Sequence, residues 1–327
     1  MAPNILLQEI CRTIVRWADN RDWPLLARTS RALQTEAEAR IYSNLDFYHS
    51  HHVFVVMRVI ADCPRVAKYV RSLVLIDDRN RHRRRHFYGT NAYEWYEKNR
   101  DYWTVLRGAL LNMVNLDFLY LVDPLLENSW IFGPEEQTGS QTSNSDHTEN
   151  TEPTVARKMR FQVREARLFT LFTPAVASFL EDQREIRSLL LHALADGAPR
   201  PPLSSNSLPK LSTFDGPLIL IDQLYHCPLT HLRVPLQGED SLSLLPIALP
   251  EFCRFKKLRS LYIGPIPERT SIVCIDLIST ACPNLQYLAL LPFPTDITKV
   301  RILQRKKNPH VHPFTNPQLP QNSVTPS

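Results

Sequence analysis

The sequence predicts an α/β chain, in which a short N-terminal unit of three helices precedes an irregular array of parallel strands and helices. Three observations carry this. One spelling, apolar-x-x-apolar-x-apolar, recurs along most of the chain. Helically patterned segments precede its copies. Finally, 327 residues at 43% hydrophobic and 22% charged give enough chain for a sizeable core in about two domains.

The first 45 residues read as three short helices. Leu6, Leu7, Ile10, Ile14 and Trp17 recur at helical spacing and form one apolar stripe. The polar run Asp19-Asn20-Arg21-Asp22 turns the chain, and Asp22 is placed to cap a second helix with Pro24 in its first turn. Leu25 and Leu26 open that helix, and Leu33, Ala37 and Ile41 repeat every four residues on a third. Tyr42, Leu45 and Phe47 suggest an extended exit. So short a unit buries too little to be stable alone, and it must pack on the remainder of the chain or on a partner.

The recurring spelling then appears as Val70-Leu73-Leu75, Leu116-Leu119-Leu121, Ile186-Leu189-Leu191, Leu229-Leu232-Val234, Leu258-Leu261-Ile263 and Leu285-Leu288-Leu290. A damaged copy, Leu211-Phe214, breaks at Gly216-Pro217. Helical patterning runs over Val53 to Ile60, Pro174 to Asp182 and Ile272 to Ala281, and three Cys-Pro pairs (63–64, 227–228, 282–283) introduce copies. The last four copies are spaced 18, 29 and 27 residues apart, close to the ~20–29 residue period of leucine-rich repeats. A short strand places two of the three apolar residues inward, and no strand–helix unit buries its own face alone. Neighbours must therefore stack, and the expectation is a leucine-rich-repeat-like solenoid. The competing reading is a conventional α/β domain whose strands share the spelling.

Three stretches interrupt the pattern. From Gly133 to Thr154 there is no aliphatic or aromatic residue and no Lys or Arg, while Glu135, Glu136, Asp146, Glu149 and Glu152 are acidic; this reads as a disordered insertion. From Asp77 to Tyr102 the chain is basic and aromatic, with an arginine run over 79–86. After Lys307 it is rich in Pro, Asn, Gln and Ser. The expected organisation is a helical domain at 1–47, a solenoid at 48–305 with its insertion at 133–154, and a disordered tail at 306–327. Only one short helix, at 296–305, is expected to close the array.

Several function classes lack their signatures. Net charge is +5 (38 basic against 33 acidic residues), too mild to demand nucleic acid. The eight glycines are scattered, and neither G-x-G-x-x-G nor a P-loop occurs. The six cysteines form no C-x-x-C pair, and they read as buried apolar residues rather than a disulfide frame. No histidine sits in H-E-x-x-H and no serine in G-x-S-x-G. Around His82 and His86 the intervening arginines repel a cation, and His49, His51 and His52 lack ligand partners. The expectation is no enzyme, no catalytic residue, no metal and no cofactor. No membrane span or signal peptide is seen, so the expected location is cytoplasmic or nuclear.

The N-terminal segment Ala2-Pro3-Asn4-Ile5-Leu6-Leu7-Gln8-Glu9-Ile10 resembles the opening of an F-box, matching at Pro3, Leu6, Leu7, Glu9 and Ile10. Ala2 and Ile5 depart from the usual leucine and acid. Leu25-Leu26-Ala27-Arg28-Thr29-Ser30-Arg31 and Ala39-Arg40-Ile41-Tyr42-Ser43-Asn44-Leu45 resemble its later segments, and Cys63-Pro64 to Leu75 also fits. The chain thus resembles the fungal class of F-box proteins with irregular leucine-rich repeats, closely over 2–75 and beyond that through the repeat spelling.

That resemblance implies a substrate-recognition adaptor of a cullin–RING ubiquitin ligase. Pro3, Leu6, Leu7, Ile10, Ile14, Leu25 and Leu26 would dock a Skp-family linker, while the solenoid holds an unidentified protein substrate. Strand alternation faces Tyr120, Arg233, Tyr262 and Tyr287 to the open side, and aromatics and arginine most often dominate binding energy. Those four are the expected substrate contacts. The alternatives are a repeat scaffold that binds a partner without any ligase, and a nucleic-acid binder using the basic–aromatic stretch 79–103. The acidic insertion and the core-like spacing of Trp103, Leu106, Leu110 and Met113 speak against the last.

Overall fold

A computed structural model describes residues 3–47, 50–76, 101–123, 126–134, 157–193, 201–236 and 244–292. Three helices open the chain: α1 (Pro3–Trp17), α2 (Trp23–Leu26) and α3 (Arg31–Ser43). Ser30 caps α3 by accepting the Leu33 amide at 3.2 Å. Asp22 stands at the start of α2 but makes no side-chain cap, because its backbone is already helical. The Trp23 indole instead ties α2 to α1 by donating to the Val15 carbonyl at 3.1 Å.

The body is a parallel sheet of nine strands among the described residues, ordered strictly along the chain. The strands are β1 (Asn44–Phe47), β2 (Ser72–Leu75), β3 (Phe118–Val122), β4 (Glu165–Leu171), β5 (Ser188–Ala193), β6 (Thr213–Asp215), β7 (His231–Pro235), β8 (Ser260–Ile266) and β9 (Tyr287–Pro292). The described crossovers include α4 (Ser50–Asp62), α5 (Pro64–Ala67), α6 (Tyr102–Asn112), α7 (Pro174–Asp182) and α8 (Glu268–Ala281). Three 3₁₀ turns, Ser129–Phe132, Leu218–Leu224 and Pro250–Arg254, lie in the connections after β3, β6 and β7. This strand order is compatible with an α/β solenoid.

The recurring spelling explains the register. Its second apolar position aligns Leu45, Leu73, Leu119, Ala166, Leu189, Phe214, Leu232 and Leu261 in one buried line. The third position aligns Leu75, Leu121, Leu168 and Leu191 in a second. Both lines share one core with the crossovers. The break at Gly216-Pro217 shortens β6 to three residues without removing it. Phe214 keeps its place in the leucine line with its ring against Gly216, where any Cβ would meet that ring at 2.5 Å.

Two strands lie beyond those the repeat spelling predicts. β1 is the extended exit after the helices, and β4 follows Val163-x-x-Ala166-x-Leu168, with alanine where the other copies carry leucine. Gly133 and Pro134, expected in the acidic insertion, belong to the described fold, and the Gly133 carbonyl accepts from buried Arg107 Nη2 at 2.9 Å. The rest of that insertion, the arginine run 79–86, the segment 296–305 and the tail lie outside the described residues.

Buried Gln183 and half-buried Asn112 stitch crossovers and turns together. Gln183 accepts the Val163 amide at 2.9 Å and donates to the Phe161 carbonyl at 3.3 Å. Asn112 donates to the Ala61 carbonyl at 2.7 Å, joining α6 to α4. Among the cysteines, Cys11, Cys227, Cys274 and Cys282 are buried and unbridged, and burial pushes the Cys227 thiol up to about 12. Cys63 is half-buried and Cys253 is exposed, so the expectation of buried thiols fails there; Cys253 lies on the solvent side of a 3₁₀ turn whose inward residue is Phe252.

One ion pair joins the helical unit to the array. Buried Glu38 of α3 accepts from exposed Arg65 of α5 and from Gln34 at 2.8 Å. Burial alone would raise the Glu38 carboxyl; the Arg65 and Gln34 hydrogen bonds outweigh it and hold the group below its ordinary 4.5. Its stabilisation is therefore present above 4.5 and lost as pH falls through the lowered value. Glu38→Gln should cost about 1–2 kcal/mol at neutral pH, and the gap to the parent should close on acidification. Thermal melts of both proteins between pH 3 and 7 check this.

Candidate functional site

Two surfaces stand apart from the core. The first is on the helical unit. α1 buries Cys11 and Val15 beside α3 and turns its other side outward. Leu7 (53% exposed), Ile10 (48%), Ile14 (45%) and Trp17 (83%) follow i, i+3, i+7, i+10 spacing, and Leu25 of α2 is 61% exposed. These five are exposed large apolar side chains on consecutive helices, the kind of patch that marks an interaction site. Of the remaining expected linker contacts, Leu26 is half-buried, and Pro3 and Leu6 lie in the first turns of α1. Trp17 was legible as part of the stripe, yet it is the most exposed of the group.

The second surface is the open face of the sheet, opposite the leucine lines. Strand alternation places Tyr120, Arg167, Leu190, Asp215, Arg233 and Tyr262 in one register line across β3 to β8. Arg233 stacks on the Tyr262 ring at 4.8 Å and lies 3.4 Å from the Asp215 carboxylate. Tyr120 is four strands from Arg233, about 19 Å at ~4.8 Å per strand, so those two do not meet. Tyr287 is 62% exposed on β9, in the neighbouring line opposite Ser260.

Tyr120 has its own cluster. Arg167 sits 5.8 Å from its ring and 5.7 Å from that of Phe118, and its Nε donates to Glu165 at 2.8 Å. Phe169 stands 5.6 Å from Tyr120 and 4.7 Å from the His192 ring. Arg167 and Phe169 are absent from the expected contacts because β4 departs from the leucine spelling, Asp215 because β6 reads as broken, and His192 because it follows the last position of the spelling on β5. The spelling Val163-x-x-Ala166-x-Leu168 was the available signal.

This face offers stacking planes, two arginines and a half-buried carboxylate, which together can grip a polypeptide. Among the described residues no group of three His, Cys, Asp or Glu side chains is arranged to hold a metal ion. No helix among them is long and apolar enough to cross a membrane.

Burial raises the Asp215 carboxyl above its ordinary 3.8, and Arg233, His192 and Arg167 only partly offset this. The folded protein therefore binds this proton more readily than the unfolded chain. The contribution of this one group to stability falls as pH rises from 3.8 through the raised value and is flat beyond it. Asp215→Asn lacks that term, so its melting temperature should gain on wild type between pH 3.5 and 7. A difference that stays constant or moves the other way across that series contradicts the burial argument.

Neither a family model nor a curated protein matches this chain.

Proposed function

We propose that the chain is a substrate-recognition adaptor of a Skp-cullin-F-box ubiquitin ligase: an F-box-like unit at its N-terminus docks a Skp-family linker, and a leucine-rich-repeat-like array holds the target protein. The observation that carries this reading is the exposed apolar stripe. Leu7, Ile10, Ile14 and Leu25, four of the residues that the F-box resemblance assigns to the linker, present large apolar side chains to solvent. A helix this amphipathic ordinarily turns its apolar side to a core. Here the stripe is left for a partner.

The array supports the second half of the reading. Its open face carries Tyr120, Arg233, Tyr262 and Tyr287 with Arg167 and Phe169 among them; Arg167, Arg233 and Tyr287 are exposed and the other rings half-buried. Rings and guanidinium groups of this kind make the strongest anchors in protein interfaces. An adaptor brings two proteins together and needs no nucleophile, base or metal of its own.

The test is capture of a Skp-family linker by the full chain. Wild type should bind. Leu7→Asp with Ile10→Asp should weaken binding at least ~100-fold by placing carboxylates in an apolar interface. Both positions are about half exposed, so the melting temperature should change little. Undiminished capture by the folded double variant, or no capture by wild type, overturns the linker reading and leaves a partner-binding scaffold.

A further inference from the structure

A third surface, polar and basic, lies at the border of the sheet where its strands begin. The residues immediately before the strands are locked in one line. From Ser43 to Gln286 each amide in that line donates to the carbonyl of its predecessor at 2.7–2.9 Å. Arg71, Arg164, Arg187 and Arg259 occupy it before β2, β4, β5 and β8, and all four side chains are exposed. The turns leading into the same border add Arg184, Lys256 and Lys257, also exposed.

The nearby carboxylates are already engaged. Asp117 lies 3.7 Å from Arg164, and Glu185 is held by Lys210 at 2.6 Å. That Lys210 hydrogen bond, with Arg187 and Arg164 farther off, keeps Glu185 below its ordinary range. Arg71, Arg184, Arg187 and Arg259 have no ion-pair partner among the described residues, and the same holds for Lys256 and Lys257. Arg164 and Arg187 stand at the same register position on adjacent strands. Asp117, itself a member of the line, offsets Arg164, which leaves Arg187 to pair with a bound anion.

The border is also hollowed at one point. Between the turns before β8 and β9 lies a cleft of about 360 Å³, lined by Lys256, Lys257, Arg259, Thr230, Asn284 and Gln286 with Leu258. Three cations and several neutral hydrogen-bonding groups face it, and no carboxylate does.

We propose that this border is a docking ledge for an extended acidic segment of a partner protein, whose carboxylates enter the cleft and pair with the arginine line. From β2 to β8 the line spans about 29 Å, the reach of roughly nine extended residues. Single-stranded nucleic acid fits less well. It needs a series of free rings on which bases stack. Along this border Tyr69 is half-buried with Lys68 over it at 5.1 Å, and Tyr287 stands exposed at the β9 end alone. The ledge is separate from the α1 stripe, so it stands whether or not the linker reading does.

The test uses the full chain and a fluorescein-labelled peptide of about ten residues alternating Glu and Ser, read by anisotropy. Wild type should bind the peptide, more weakly as salt rises from ~0.05 to ~0.2 M. Arg187→Ala, Lys257→Ala and Arg259→Ala combined should weaken binding at least tenfold with no change in melting temperature. The charge-keeping set Arg187→Lys, Lys257→Arg and Arg259→Lys should retain most of it, and Arg233→Ala with Tyr262→Ala on the open face should leave it unchanged. No binding by wild type, or equal binding by the alanine triple, overturns the proposal. So does tighter binding of polythymidylate that the alanine triple abolishes, which would make the ledge a nucleic-acid site.

Discussion

The rest of this molecule depends on the parallel hydrogen-bonded ladder that begins with the Ser43–Arg71 bond and ends with Arg259–Gln286. Parallel pairing keeps every strand in the same direction, so each must be followed by a crossover that returns the chain to the starting edge. Strands are added in chain order, and the described crossovers pack on the apolar face. The leucine lines are the consequence. Each strand contributes two inward residues to a core that no single unit could close.

That constraint acts on the strands and leaves the crossovers free to vary. α4 and α6 pack against each other and are joined through Asn112, whereas β6 and β7 are linked by a 3₁₀ turn over Leu218–Leu224. The requirement on a crossover is to bury apolar surface over the leucine lines. Ile131 and Phe132 do it from one 3₁₀ turn, and Leu220 and Leu224 from another. Irregular spacing in the sequence is thus accommodated outside the sheet while register inside it is kept.

The two ends of the array differ. At the start, α3 runs directly into β1, and the Glu38–Arg65 pair fastens the helical unit to α5. At the other end, Leu288 and Leu290 of β9 are only half-buried where their counterparts Leu261 and Ile263 are fully so, and Ile272, Val273 and Ile275 of α8 are exposed. Among the described residues β9 has one neighbouring strand, β8, so its inward residues have lateral cover on one side. The open face and the strand-start border are products of the same ladder, since pairing sets side chains from distant sequence positions at about 4.8 Å intervals.

The sequence by itself determined the period, the direction in which side chains alternate and the apolar stripe of α1, because these follow from local spacing along one chain. It placed Tyr120, Arg233, Tyr262 and Tyr287 on the side opposite the leucines, since alternation is a property of each strand alone. It did not reveal β4, where Ala166 stands in a leucine position. β6 reads as broken in sequence, because a short strand is recognisable only when neighbours on both sides complete its ladder. Which residues meet was settled by the tertiary structure. Arg167 reaches the rings of Phe118 and Tyr120, and Asp215 meets Arg233, through strands separated by long stretches of chain. Whether the α1 stripe faced a core or solvent was equally beyond the sequence: Cys11 and Val15 supply enough contact with α3 to seat the helix, so the larger side chains of Leu7, Ile10, Ile14 and Trp17 remain outside. Burial is a property of what packs against a residue, and spacing alone does not carry it.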